Sequence, residues 1–138
     1  MKVIVLEGID GCGKSTLRHG VHSLSGFGDI IHMRSTPSHW VYNKLYNRKE
    51  VDYESYNLLH QDLIETHVIW LMCSPEVAYL RQQTNERISL IFLVEADRLF
   101  SEYFTNITKL RNIHFVRTDT QEVNQAIFEI SQKVYGKS

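Results

Sequence analysis

Residues 8–15, Gly8-Ile9-Asp10-Gly11-Cys12-Gly13-Lys14-Ser15, match the spacing GxxxxGK[ST] at every fixed position. The match follows an apolar run, Val3-Ile4-Val5-Leu6, and precedes a segment in which Leu17, Val21 and Leu24 recur at helical spacing. A buried strand that turns through glycines into a helix is the setting in which this spacing forms a phosphate-binding loop, the P-loop. The residue types are those the chemistry needs. Gly8, Gly11 and Gly13 permit backbone angles that turn successive N–H groups inward around an anion. The opening of the helix adds unpaired amides and the positive end of its dipole. Lys14 brings a mobile cation to the β- and γ-phosphates, and the Ser15 hydroxyl can ligate Mg²⁺. The alternative is a glycine-rich strand-to-helix turn that binds nothing.

The rest of the chain alternates between strand and helix signals. Val3–Leu6 is bounded by Gly8 and reads as a strand buried on both faces. A helix is expected over 14–24, then a short strand over 30–33 that Thr36-Pro37 stops. Residues 38–66 read as mostly helical and polar, with a break over 49–52. Val68–Cys73 is the clearest second core strand. Ser74-Pro75-Glu76 starts a helix well, since a Ser N-cap followed by Pro at the first position wastes no amide. Phe92, Ala96, Leu99, Tyr103, Ile107 and Leu110 predict a helix over 90–110. Ile113–Val116 is a last strand, and Val123, Ile127, Ile130 and Val134 mark an amphipathic closing helix. The pattern predicts an α/β domain, a P-loop NTPase three-layer α/β/α arrangement with a small, mainly parallel sheet. Ligands in such folds sit at the carboxyl ends of the strands.

Length and composition narrow the partners. At 138 residues the chain is expected to form one domain over 1–138, and 43% hydrophobic content is enough for a core without staples. A net charge of −1 disfavours a grip on long nucleic acid. No apolar run reaches the roughly 18 residues of a membrane span, and the start of the chain lacks the length and cleavage pattern of a signal peptide. Cys12 and Cys73 offer no CxxC spacing, so a disulfide scaffold is not expected and a cytoplasmic setting is. The histidines show no metal-ligand spacing.

The stretch Glu7 to Thr16, EGIDGCGKST, resembles the thymidylate kinases and related deoxynucleoside kinases. The acidic residue before the first glycine and Asp10 inside the loop set it apart from the loops of motor ATPases and GTPases. The resemblance resumes at Thr66 to Gln83, THVIWLMCSPEVAYLRQQ, runs weakly through Glu95 to Tyr103, and returns at Ile113 to Ala126. It implies ATP as donor, Mg²⁺ as cofactor and a small-molecule nucleotide as acceptor. Family members carry a further strand ending in Asp-Arg before the strand at Val68, and nothing between Thr36 and Thr66 matches it. His39-Trp40-Val41-Tyr42 stands about where it belongs. A second location, Ile88–Val94 followed by Asp97-Arg98, reads either as that strand or as the solvated face of the 90–110 helix; the unbroken helical stripe favours the helix.

The resemblance also distributes roles. The phosphates fall to Gly8, Asp10, Gly11, Cys12, Gly13, Lys14, Ser15 and Thr16, and Asp10 could reach the sugar or acceptor or simply stabilise the turn. Arg34 falls where similar enzymes grip a monophosphate, a bidentate task suited to a guanidinium, or is a solvated surface residue. Arg81 and Arg87 flank the region of a lid that closes over the transferring group, which makes them, with Lys14, the catalytic candidates. Thr118-Asp119-Thr120 ends the last strand; Asp119 either contacts the donor base or caps the closing helix. Trp40, Tyr42, Tyr46, Tyr53 and Tyr56 stack on an acceptor base or belong to core and interface, the latter being the more usual role. Cys12 fills the loop, although a helix N-terminus can lower a thiol pKa.

Two functions follow as expectations. One is a kinase moving the γ-phosphoryl of ATP to a deoxynucleoside monophosphate, with dTMP first among acceptors, or to a nucleoside 5′-hydroxyl. The other is an ATP-binding module that kept the cradle and lost catalysis with the Asp-Arg strand. A homodimer is compatible with either.

Overall fold

The structure is a computed structural model that describes residues 1–49, 64–82 and 88–136. Its elements run β1 (Val3–Glu7), α1 (Lys14–Ser23), β2 (Ile30–His32), α2 (Thr36–Leu45), β3 (Thr66–Met72), α3 (Pro75–Arg81), α4 (Leu90–Glu102), a π-helical turn (Tyr103–Ile107), β4 (Ile113–Arg117) and α5 (Val123–Tyr135). The strands form one sheet in the order β2-β1-β3-β4, and every neighbouring pair is parallel. Parallel strands need crossovers; the one from β1 to β2 runs in one direction along the sheet and those from β2 to β3 and β3 to β4 run in the other, so right-handedness puts α1 on one face and α2, α3 and α4 on the other. Contacts agree: α1 packs on α5, and α4 packs on both α2 and α3.

The two central strands are apolar on both faces because both faces are covered. Ile4, Val5, Leu6, Val68, Ile69 and Leu71 are all buried. The third layer is aromatic, with the Trp70 ring stacked on Phe104 at 4.9 Å and Tyr103 edge-on to Phe104 at 5.2 Å. The π-helical turn, closed by Thr108 N–H donating to the Tyr103 carbonyl at 2.9 Å, carries Tyr103 and Phe104, both buried. The helix expected over 90–110 therefore ends at Glu102, and its periodic apolar residues continue only as far as the turn.

Other expectations are met with shifted ends. Ser74 caps α3 by accepting from Val77 N–H at 3.3 Å, with Pro75 at the first helical position. Of the mostly helical stretch expected over 38–66, α2 begins earlier, at Thr36, and ends at Leu45; Thr66 already opens β3, and residues 50–63 lie outside the described residues. Ile88–Val94 is not a strand: Asp97 and Arg98 lie on α4, where Arg98 pairs with Glu95 one turn back. Trp40 and Tyr42 pack against Tyr103 and Phe92, at ring separations of 5.6 and 6.4 Å, which places them in the α2–α4 interface; Tyr53 and Tyr56 lie outside the described residues. No helix among the described residues is long and apolar enough to cross a membrane.

Candidate functional site

β1 delivers the chain to the carboxyl edge of the sheet, and residues 8–13 fold there into a loop that enters α1. Two of its glycines are dictated by crowding as well as by backbone angle. A Cβ on Gly8 would meet Cys12 Sγ and the Leu71 carbonyl, each at 2.7 Å. Gly11, at φ +85°, lies so close to the Ala78 carbonyl of α3 that a side chain there would overlap it. Gly13 stands at the N-cap of α1 with no side-chain cap, which leaves the first amides of the helix facing the loop's interior.

Lys14 is buried and its ammonium donates to the loop's own carbonyls, Gly8 at 2.7 Å and Ile9 at 3.1 Å, and to Cys12 Sγ at 3.5 Å. Cys12 is fully buried, and burial pushes its thiol up; the loop position does not make it a low-pKa cysteine. Ser15 and Thr16 are exposed at the start of α1.

A cleft of about 340 Å³ opens over this loop. Asp10, Lys14, Ser15, Thr16, Arg34 and Arg81 all line it, so residues from β1–α1, β2–α2 and α3 converge on one space. Arg34 comes from the loop after β2, with φ at +132°, and donates to Asp10 Oδ1 at 2.6 Å while its guanidinium carbon lies 5.1 Å from the Tyr42 ring centre. Arg81, at the end of α3, donates to the Gly11 carbonyl at 3.3 Å and to the Thr118 hydroxyl at 3.4 Å, and reaches the Thr118 carbonyl as well. Arg87 lies outside the described residues.

A second cleft of about 410 Å³ adjoins the first and shares Gly13, Thr16 and Arg81 with it. Its other walls are Leu17 of α1, Thr118 at the end of β4, and Gln121, Glu122, Val123 and Ala126 at the start of α5. Sequence reasoning pointed to this strand end and named Asp119. Asp119 instead accepts from Arg117 and, at 2.9 Å, from the Ser74 N–H, and Arg117 holds its carboxyl below the usual range. Thr118 is the residue that meets the loop, its hydroxyl donating to the Cys12 carbonyl. The closing helix is capped by neither: Glu122 and Gln125 form a reciprocal capping box.

The carboxylates near the cradle are committed. Glu7 is fully buried and accepts from Ser35 N–H at 2.9 Å, Ser38 N–H at 3.0 Å and the Ser38 hydroxyl; burial pushes its carboxyl up, against the pull of those bonds. Asp10 is paired with Arg34. β1 has β2 hydrogen-bonded on one side and β3 on the other, so among the described residues no further strand stands beside it to present an Asp-Arg pair. No group of three or more His, Cys, Asp or Glu among them could hold a metal by itself.

Comparison with solved structures decides the fold. Deoxyadenosine kinase from M. mycoides with bound dATP aligns with a TM-score of 0.61 over 98% of this chain and 100% of its own, at 16% identity. The YorR protein of Bacillus subtilis in complex with phosphorylated GDP aligns at 0.68, over 99% and 100%, at 20% identity. A gluconokinase from Sinorhizobium meliloti aligns at 0.58, over 98% and 90%, at 13% identity. The chain has the P-loop kinase fold. No protein-family model matches it, and no curated protein matches it in sequence. At these identities the likeness establishes architecture, and the reaction has to be argued from the site.

Proposed function

We propose that this protein is a nucleotide kinase that transfers the γ-phosphoryl group of ATP to a deoxynucleoside monophosphate, with dTMP the first acceptor to test. The observation that carries this reading is the convergence of Lys14, Ser15, Arg34 and Arg81 on one cleft above the glycine loop. Phosphoryl transfer asks little covalent chemistry of a protein; it asks that donor and acceptor be held in line while charge is neutralised. Here the loop amides and Lys14 would hold the polyphosphate, and the adjoining cleft at Thr118, Gln121 and Val123 would take the donor base. Mg²⁺ would be held by the Ser15 hydroxyl, which is exposed at the cleft, together with phosphate oxygens of the donor. When bound, it would neutralise charge on the transferring group. Arg34 would grip the acceptor phosphate opposite the loop, and Arg81, joined to the loop through Gly11, would meet charge that develops during transfer. A nucleoside 5′-hydroxyl is the alternative acceptor.

A second reading, an ATP-binding module without turnover, is favoured by one observation: β1 is flanked on both sides, and the nearby carboxylates Glu7 and Asp10 are already paired. A coupled ADP-release assay over a panel of deoxynucleosides and their monophosphates separates the two. Acceptor-dependent ADP release that Lys14→Ala abolishes supports the kinase. ATP binding with no turnover on any acceptor leaves only the module.

A further inference from the structure

Glu7 is the last residue of β1 and directly precedes the first glycine of the loop. Its carboxylate is fully buried, does not line the cleft over the loop, and bonds to the start of α2. There it does what an N-cap does. Ser35, the N-cap of α2, makes no side-chain capping bond of its own. Glu7 Oε2 instead accepts the Ser35 and Ser38 amides, and Oε1 accepts the Ser38 hydroxyl. A helix start is thus satisfied by a side chain from another element, which ties that start to the base of the P-loop. The neighbouring residue in the chain is Arg34, whose φ of +132° is unfavourable for any side chain and persists only when the surroundings impose it. Glu7, clamping Ser35, is a direct restraint on the C-terminal side of that conformation.

We infer that Glu7 is a positioning residue, which fixes Ser35 and the start of α2 so that Arg34 stands over the cleft that Lys14 enters. It touches neither nucleotide and acts through Arg34. The inference rests on the kinase reading and adds to it a mechanical link between the donor cradle and the acceptor grip. The donor side keeps its geometry without Glu7, because the loop amides are set by the glycines and by Thr118 and Arg81. Loss of Glu7 should therefore separate the two substrates.

The test is steady-state kinetics of wild type, Glu7→Gln, Ser38→Ala, Arg34→Ala and the Glu7→Gln/Arg34→Ala double variant, with a thermal melt of each. Gln retains the size but presents an NH₂ where an acceptor is required, so its acceptor KM should rise about tenfold while the ATP KM stays within about twofold. Ser38→Ala keeps both amide bonds and should raise the acceptor KM by only about threefold, which preserves the test should Glu7→Gln fold poorly. In the Arg34→Ala background, Glu7→Gln should change the acceptor KM no further. Equal increases in both KM values, or an undiminished effect without Arg34, would overturn the inference and leave the kinase reading standing. A wild type that transfers to no acceptor overturns both.

Discussion

The Arg34 guanidinium and the Asp10 carboxylate are paired at 2.6 Å beside the cleft over the glycine loop, joining the loop after β2 to the P-loop itself. Both side chains are partly exposed, so the pair contributes little to stability, and its significance lies in where it holds Arg34. An arginine held this way presents a planar fork to an incoming phosphate; a lysine would present a single point charge. Arg34→Lys should raise the KM for a monophosphate acceptor about tenfold and leave the ATP KM unchanged. The same variant assayed on nucleosides without a phosphate should show no change, and a uniform loss on both acceptor types would remove Arg34 from the acceptor site.

Lys14 reaches three atoms of its own loop, and in the proposed kinase it is the cation of the cradle. Its replacement by alanine removes the charge that would meet the transferring phosphoryl group. Turnover should fall by roughly a hundredfold or more with the melting temperature little altered, measured by ADP release and by calorimetric unfolding.

Gly11 tests the loop's backbone. At φ +85° and in contact with the Ala78 carbonyl, it has no room for a methyl group and no favourable conformation with one. Gly11→Ala should cost about 2 kcal/mol in urea unfolding and should weaken ATP binding in titration calorimetry. Unchanged ATP affinity would mean that the loop can rearrange without loss of its cradle.

At the other end of the sheet, Glu65 accepts from His67 at 2.6 Å and from Lys2 at 2.7 Å, and these bonds hold its carboxyl down from 4.5 to about 2. A carboxylate depressed in the folded state stabilises the fold above the unfolded value and loses that contribution as it is protonated. Stability should fall as pH drops from 4.5 toward 2, and Glu65→Gln should flatten that part of the profile in urea titrations at fixed salt. An identical profile in the variant would show that the contact confers no pH dependence.

Some of this was legible along the chain and some was not. The strand–loop–helix at residues 3–24 reads directly, because hydrophobic run, glycine spacing and helical stripe all concern neighbours in sequence. The same holds for the Ser74 cap, which is complete within a few residues. The pattern over 90–110 reads as one helix, although α4 ends at Glu102, because the π-helical turn keeps the apolar pattern while changing the hydrogen bonding beneath it. That Asp119 does not cap α5 has a different reason: it accepts from Ser74 and Arg117, and only the packing of β4 beside β3 makes Ser74 its neighbour.

The P-loop and the alternation of strands with helices were settled by the order of residues alone, since local backbone preference and the burial period act over a few positions. Which distant side chains share the cleft was settled by the crossovers. Arg34 and Arg81 meet Asp10 and Gly11 because parallel strands carry their carboxyl ends, and every loop that leaves them, to one edge of the sheet. Glu7 likewise became the cap of α2 through tertiary contact, and no spacing in the sequence marks a hydrogen bond made across that distance.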